Sequence, residues 1–324
     1  MSEKNLGTNK KIVVTHSGQF HTDEVFACAV LSILNKGAVE VVRSRNPDVW
    51  ATADYVVDVG GAYNTSRGLF DHHQIGGAGA RPNGIPYSSF GLVWKEFGEK
   101  VSGSVYVARV IDERLVQPID AGDNGIETFS LKGEVSPFLI QDVVAAFRPG
   151  WSEARNEDEG FFEIMPFAEK IITREIMRAH TEEEGKKHAE EAYAKALDKR
   201  IIILDDHYPW YEAIRTMPEP MFVVKPDRGG LGKWKIEAVR SDAHSFKNRK
   251  DLPRAWAGKT GVELAEVSGV PDALFCHNKL FVAVAGSKEG ALKLAQLAVE
   301  SSLRPAPPVA SLPRAGRGGG ANER

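Results

Sequence analysis

The segment Leu69-Phe70-Asp71-His72-His73 sets a carboxylate and two imidazoles directly after an apolar run. Burying such groups is costly unless something uses them. Metal coordination is the usual use, because neutral imidazole and carboxylate are ligands of divalent first-row ions. Upstream, Thr15-His16-Ser17-Gly18-Gln19-Phe20-His21-Thr22-Asp23-Glu24 adds two histidines and two carboxylates. Between these stretches, Val56-Val57-Asp58-Val59-Gly60-Gly61 ends a valine-rich run on an aspartate. Downstream, Asp120-Ala121-Gly122-Asp123-Asn124-Gly125 supplies two more. Four polar clusters in one half of the chain point to a site with more than one metal ion. A closed structural zinc site would favour thiolates, and Cys28 and Cys276 lie outside every cluster. Mixed His and Asp ligands suit Mn²⁺, Mg²⁺ or Zn²⁺ at a hydrolytic centre. The glycines Gly60, Gly61, Gly76, Gly77 and Gly79 form no Walker loop, since no Gly-Lys-Ser/Thr follows them.

The elements that must position these residues can be read from the pattern. Lys11 to His16 reads as a buried strand. Asp23 to Asn35 has apolar residues at helical spacing, acids in its first turn and Gly37 just past its end, which predicts a helix. Val39 to Arg43 and Tyr55 to Val59 read as strands. Strand, helix, strand and a further strand predict a parallel sheet covered by helices. Ligands of such a sheet collect at the carboxyl ends of its strands. His16, Asp58 and Asp71 to His73 all fall at or just past such ends, so their placement is mutually consistent. Ser88 is expected to cap a helix running to Lys100, and another helix is expected from Val105 to Val116.

The fold class is α/β: a parallel-sheet N-terminal domain with helices on both faces, and a smaller C-terminal α/β domain. The expected boundaries are a catalytic domain over 1–165, a helical linker over 166–200, a second domain over 201–303 and a disordered Pro/Gly/Ala-rich tail over 304–324. The second domain reads as βαβ-like, with strands Ile201–Leu204, Met221–Val224, Trp234–Val239, Ala273–His277 and Leu280–Val284, then a helix Lys288–Ser302. Trp151, Trp210 and Trp256 read as core or interface rather than as a base-stacking platform.

The 324 residues allow one large or two ordinary domains, and 42% hydrophobic with 26% charged content describes a globular chain with a real core. No apolar run approaches the roughly 20 residues of a membrane span. No secretory signal is expected from the polar start, and two cysteines in apolar segments read as free thiols of a cytoplasmic protein. A net charge of −3 argues against broad, non-specific coating of DNA. The sequence is open to a homo-oligomer.

The chain resembles the melanocyte proliferating gene (MYG) family, a branch of the DHH phosphoesterase superfamily. The resemblance rests on THSGQFHTDE from Thr15, VVDVGG from Val56, FDHHQ from Phe70, DAGDNG from Asp120 and HSFKNR from His244, and runs from about Ile12 to Leu303. It implies a metal-dependent hydrolase of phosphate esters and, for the MYG branch, a 3′–5′ exonuclease acting on RNA or oligonucleotides. The opening His and second Asp of DHH enzymes match His16 and Asp23. His21 stands where the first Asp usually is, a departure typical of the branch that suits a softer ion such as Mn²⁺. Asp58 matches the aspartate bridging two ions, His72 a ligand of the second ion, and Asp123 the last carboxylate ligand, with Asp120 as the fallback. His73 is expected near the substrate phosphate and Asp71 behind it, orienting an imidazole.

The implied mechanism is attack on phosphorus by a water activated between two Mn²⁺ ions, with Mg²⁺ or Zn²⁺ as the other candidates. His73 and basic residues would stabilise the developing charge. For substrate binding the resemblance points to His244, Ser245, Phe246 and Arg249, the last as a phosphate grip. His277, after an apolar strand, is a further candidate. Arg43 and Arg45, at the end of the second strand, could contact phosphate. Two other readings stand beside the RNA exonuclease: a phosphoesterase acting on dinucleotides or other small esters, and a metal-binding protein without catalysis.

Overall fold

The computed structural model describes residues 10–131, 133–229, 232–242 and 247–301. The chain divides into two compact units, Met1–Glu184 and Gly185–Arg324. The tail over 304–324, expected to be disordered, lies outside the described residues.

In the first unit, β1 (Lys11–Thr15) leads into α1 (Thr22–Leu34) and back to β2 (Val39–Arg43). After the short α2 (Pro47–Trp50) come β3 (Tyr55–Val57), β4 (Tyr63–Asn64) and β5 (Leu69–Phe70). The sheet order is β2-β1-β3-β5-β4. The first four are parallel neighbours, and β4 joins the edge antiparallel. Helices cover both sides of this sheet, as expected. Every residue of α1 from Thr22 to Ser32 is buried, so it is a helix of the core rather than of the surface. Its Phe26 and Leu31 and, from neighbouring elements, Val57, Phe70 and Phe90 are fully buried in one core. Each such side chain contributes roughly 1.5–3 kcal/mol through burial.

Helices α3 (Ser89–Ser102), α4 (Val105–Ile111), α5 (Gln117–Asp123) and α6 (Ile140–Ala145) complete the packing. The helix expected to stop at Val116 instead continues to Asp123. A π-helical turn, Asp112–Val116, stands just before Pro118. A widened turn accommodates a residue that has no N–H to donate. The charged stretch expected from Pro166 is part of one helix, α7 (Glu157–Lys195), which carries Pro166 inside it. The division between the two units falls within α7.

The second unit holds β6 (Ile201–Ile203), α8 (Tyr211–Ile214), β7 (Phe222–Pro226), β8 (Trp234–Ala238), α9 (Gly261–Ser268), β9 (Ala273–Cys276), β10 (Val282–Ala285) and α10 (Lys288–Glu300). Its sheet order is β6-β7-β8-β10-β9. The βαβ-like expectation holds only for β6 and β7, which are parallel; the other pairings are antiparallel. Short links between β7 and β8 and between β9 and β10 can only reverse the chain, whereas a parallel return needs a longer crossover. No helix among the described residues is long and apolar enough to cross a membrane.

Candidate metal centre

The polar clusters converge at the carboxyl ends of β1, β3 and β5. β1 ends at Thr15 and delivers the buried His16. β3 stops at Val57, earlier than expected, because Asp58 adopts φ +56° and leaves the strand. A left-handed aspartate is uncommon, and such strain clusters at functional sites. β5 ends at Phe70, so Asp71, His72 and His73 follow at once. His21 is the N-cap of α1, which places Asp23 and Glu24 in its first turn. Asp123 is the last residue of α5, brought in by the π-helical continuation.

Asp58 is the hub of the arrangement. Its Oδ2 lies 3.3 Å from His16 Nε2 and its Oδ1 3.3 Å from His72 Nε2. His73 Nδ1 is 3.6 Å from the same Oδ1. On one side, His16 Nε2 is 3.1 Å from Glu24 Oε1. On the other, His72 Nε2 is 3.2 Å from Asp123 Oδ2 and 4.0 Å from Asp23 Oδ2. Three sets of ligand atoms gather within 4.8 Å: His16, His21, Glu24 and Asp58; Asp58, His72 and His73; and His21, Asp23 and Asp123. Asp58 belongs to two sets and His21 to two.

These residues fit metal ions by a direct test. Asp23 Oδ1, Asp58 Oδ1 and His72 Nε2 are buried and have no hydrogen-bond partner. Buried polar atoms are normally paired, and each orphan costs free energy. Three such atoms of imidazole and carboxylate type in one cluster are what a cation would satisfy.

The electrostatics agree. Burial opposes charge on His16, but Asp58 and Glu24 outweigh it and raise its pKa to about 10. Burial likewise opposes charge on His72, while Asp58, Asp23 and Asp123 raise it to about 9. Burial beside Asp23 and Asp58 lifts Asp123 to about 9 and Glu24 to about 8. Asp23 is raised by burial and by Asp58. Burial would raise Asp58 too, but His16 and His72 hold it below the usual carboxylate range. The cluster therefore retains protons that bound cations would replace.

A second layer fixes these ligands. Asp23 Oδ2 accepts from the Ser89 hydroxyl at 2.6 Å and its N–H at 3.2 Å. Asp71 accepts from Gly61 N at 2.5 Å, His73 N at 3.1 Å and His73 Nδ1 at 2.8 Å. His73 keeps 62% of its side chain exposed while Asp71 sets its ring. Asp120, the fallback ligand, is engaged elsewhere. It pairs with Arg81 at 2.7 Å and accepts from the Ser88 hydroxyl at 2.5 Å and from Gly91 N at 3.0 Å. Ser88 is the N-cap of α3 by position, but its hydroxyl serves Asp120 instead of the helix end.

Of Arg43 and Arg45, at or just past the end of β2, only Arg45 lines the cavity beside the cluster. This cavity of about 410 Å³ also holds His16, His21, Asp58 and His73, and Arg45 Nε donates to Ser17 O at 3.0 Å. Arg43 is buried. It pairs with Asp158 at 2.5 Å, donates to Gly18 O and lies over the Phe161 ring at 4.8 Å. Arg148 Nε donates to Phe20 O at 2.6 Å, so two arginines clamp the loop between His16 and His21. Arg249, expected as a phosphate grip, has its guanidinium donating to the carbonyls of Arg215, Met217 and Pro220. His277 lines a separate cavity in the second unit. His244, Ser245 and Phe246 lie outside the described residues.

Glu24 is fully buried and joins His16, His21 and Asp58 among the candidate ligands. Both of its oxygens accept from His21 N, at 2.8 and 2.9 Å, which closes a capping box. The signal is present as a Glu three residues after an N-cap, but that pattern ordinarily marks only a helix start.

The family described as MYG1_exonuc, Uncharacterised protein family (UPF0160), matches residues 12–299. A MYG1 protein of Schizosaccharomyces pombe, C694.04c, is 30% identical over 318 residues, covering 89% of this chain and 97% of its own. The MYG1 exonuclease of Mus musculus is 31% identical over 329 residues, covering 90% of this chain and 85% of its own. The MYG1 exonuclease of Homo sapiens is 31% identical over 318 residues, covering 87% and 84%.

Proposed function

The chain belongs to the MYG1_exonuc family, and from that premise we propose that it is a metal-dependent 3′–5′ exonuclease acting on RNA. The observation that carries the reading is the position of Asp58, whose two carboxylate oxygens face His16 and His72 and which enters two separate ligand sets. His16, His21, Glu24 and Asp58 would hold one cation. Asp58 and His72, with Asp23 and Asp123, would hold a second. Mn²⁺ is the proposed ion, in keeping with a donor set in which carboxylates outnumber histidines but do not exclude them. Bound there, the ions would supply an activated water and neutralise charge at phosphorus.

The chain's own groups do the rest. His73 is exposed at the cavity and oriented by Asp71, so it can donate to a non-bridging phosphate oxygen. Arg45 is placed on the rim to orient the phosphate by a charge-assisted hydrogen bond. Arg43 and Arg148 act by positioning, holding the carbonyls of the His16–His21 loop. We propose that the first unit carries the chemistry and the second contributes to substrate binding, in a cytoplasmic protein.

The cavity of about 410 Å³ also suits a dinucleotide, which keeps the small-ester reading in play. One experiment separates the two. 5′-Labelled single-stranded RNA and a dinucleotide are incubated with Mn²⁺, beside an Asp58→Ala control. The proposal expects a descending RNA ladder that the variant abolishes. Cleavage of the dinucleotide alone would move the chain to small esters, and no cleavage of either would leave a metal-binding protein without catalysis.

A further inference from the structure

The segment after β2 brings a tryptophan to the metal centre that no hydrophobic core uses. β2 ends at Arg43, and Asn46 soon caps the next helix, its side chain accepting from Asp48 N at 3.0 Å. Pro47 follows as the first helical residue, where its missing N–H costs nothing. α2 lasts only to Trp50. The indole therefore stays near the edge of the sheet where the ligands gather, and it lines the cavity that holds His16, His21, Asp58 and His73.

The ring is held from two sides. Its Nε1 donates to Ser44 O at 2.9 Å, which ties it to the exit of β2. Gly60, at φ +95° just past β3, lies against the six-membered ring: a Cβ there would stand 3.6 Å from Cε3 and 3.8 Å from Cζ3. Yet Trp50 is only partly buried and joins none of the hydrophobic cores of the described residues, whereas Trp94 and Tyr55 of the same unit do. An indole serves folding through the area it buries, and this one is fixed while part of its surface is left to the cavity. The other lining groups are imidazoles, carboxylates, Arg45, glycines and Val59, so Trp50 is the one large carbon surface there.

We propose that Trp50 is a base platform, against which the nucleotide whose phosphate lies at the metal cluster packs its base. The proposal deepens the exonuclease reading and rests on it for the phosphate. One short segment thus brings to the same cavity a guanidinium, that of Arg45, for the phosphate and a π-surface for the base. Because the indole N–H is already given to Ser44 O, the ring has no free donor with which to read a base edge. Stacking accepts any base, so the terminal nucleotide is gripped without being chosen, as successive removal of nucleotides requires.

The test reads the ring itself. The full chain is labelled with 5-fluorotryptophan, and its six tryptophan signals are followed by fluorine-19 NMR in Mg²⁺, which is not paramagnetic. Trp50→Phe identifies the Trp50 signal by its loss. Saturating AMP is expected to shift that signal, and saturating ribose 5-phosphate, which has the phosphate and no base, to leave it in place. A Trp50 signal that ignores AMP, or moves equally with ribose 5-phosphate, overturns the proposal. A second arm uses 5′-labelled RNA whose 3′ end is an ordinary or an abasic nucleotide. The parent is expected to remove the ordinary one with a kcat/KM at least about tenfold higher, Trp50→Phe to keep that preference and Trp50→Leu to lose it. A preference retained by Trp50→Leu also overturns the proposal, since a ring that serves folding alone would lower both rates together. RNA left uncut by the parent would count against the exonuclease reading, and the NMR arm, which needs no turnover, then decides the platform by itself.

Discussion

Asp58 Oδ1 lies 3.3 Å from His72 Nε2, and both atoms are buried without a hydrogen-bond partner. His16 holds the same relation to Asp58 from the opposite oxygen, also at 3.3 Å. One carboxylate therefore ties two histidines from two strand ends. Removing an outer partner of a metal ligand costs about 10–100-fold. Asp58→Ala would remove the ligand proposed for both ion sites, and its kcat is expected to fall by at least about 10³-fold with the fold retained. Turnover within tenfold of the parent, with intact thermal unfolding, would refute the shared-ligand arrangement.

Arg249→Ala is expected to act on stability and not on substrate binding. Three backbone carbonyls, of Arg215, Met217 and Pro220, lose their donor together. A cost of about 1–3 kcal/mol follows, read as a lowered urea midpoint. KM for RNA should stay within twofold of the parent, once the variant is assayed where it is folded. A raised KM with unchanged stability would restore the phosphate grip expected from sequence.

Gly91→Ala is expected to be severe. A Cβ at this position would clash with Asp120 Oδ2, and Asp120 is pinned there by Arg81 and Ser88. Either α3 shifts or the buried pair breaks, and breaking a buried pair costs on the order of 3–5 kcal/mol. Chemical denaturation of this variant against the exposed control Lys279→Ala gives the difference directly. A loss below about 1 kcal/mol would show that the site relaxes freely.

The acid–base balance of the metal-free protein predicts how stability responds to pH. Glu24 is raised from 4.5 to about 8 and His16 from 6.5 to about 10, so both hold protons in the folded state that they would release on unfolding. Their stabilising contribution is complete below the unfolded value and is lost as pH rises through the folded one. Asp58 runs the other way, but its window lies below 3.8. Between pH 6 and pH 9 the protein in EDTA should therefore lose several degrees of Tm. With Mn²⁺, which binds the deprotonated ligands, that slope should flatten. A gap between Mn²⁺ and EDTA that is independent of pH would contradict this.

Much of the site is legible in the sequence because chemistry and periodicity coincide. Valine-rich runs leading to Asp58 and His16 place two candidate ligands at one end of the sheet from the sequence pattern alone. Arg43 shows where that logic runs out. Its position at the end of β2 is on the active edge, but whether a long side chain points to the cavity or lies between Asp158 and Phe161 depends on α7, far away in sequence. Asp123 depends on a helix that passes Pro118, and a π turn has no periodic signature to announce it. In the second unit, strand positions are close to those expected, but pairing direction is a property of the connections and not of the strands. Glu24 is visible in the sequence yet reads as ordinary, because a capping box and a ligand need the same residue type at the same spacing.

The most direct measurement is anomalous diffraction at the manganese edge from crystals equilibrated with Mn²⁺. The account expects two peaks beside Asp58, each touching its carboxylate, one facing His16 and the other His72. A single peak, or two peaks of which one leaves Asp58 unbonded, would contradict the shared-carboxylate centre on which the proposed chemistry depends.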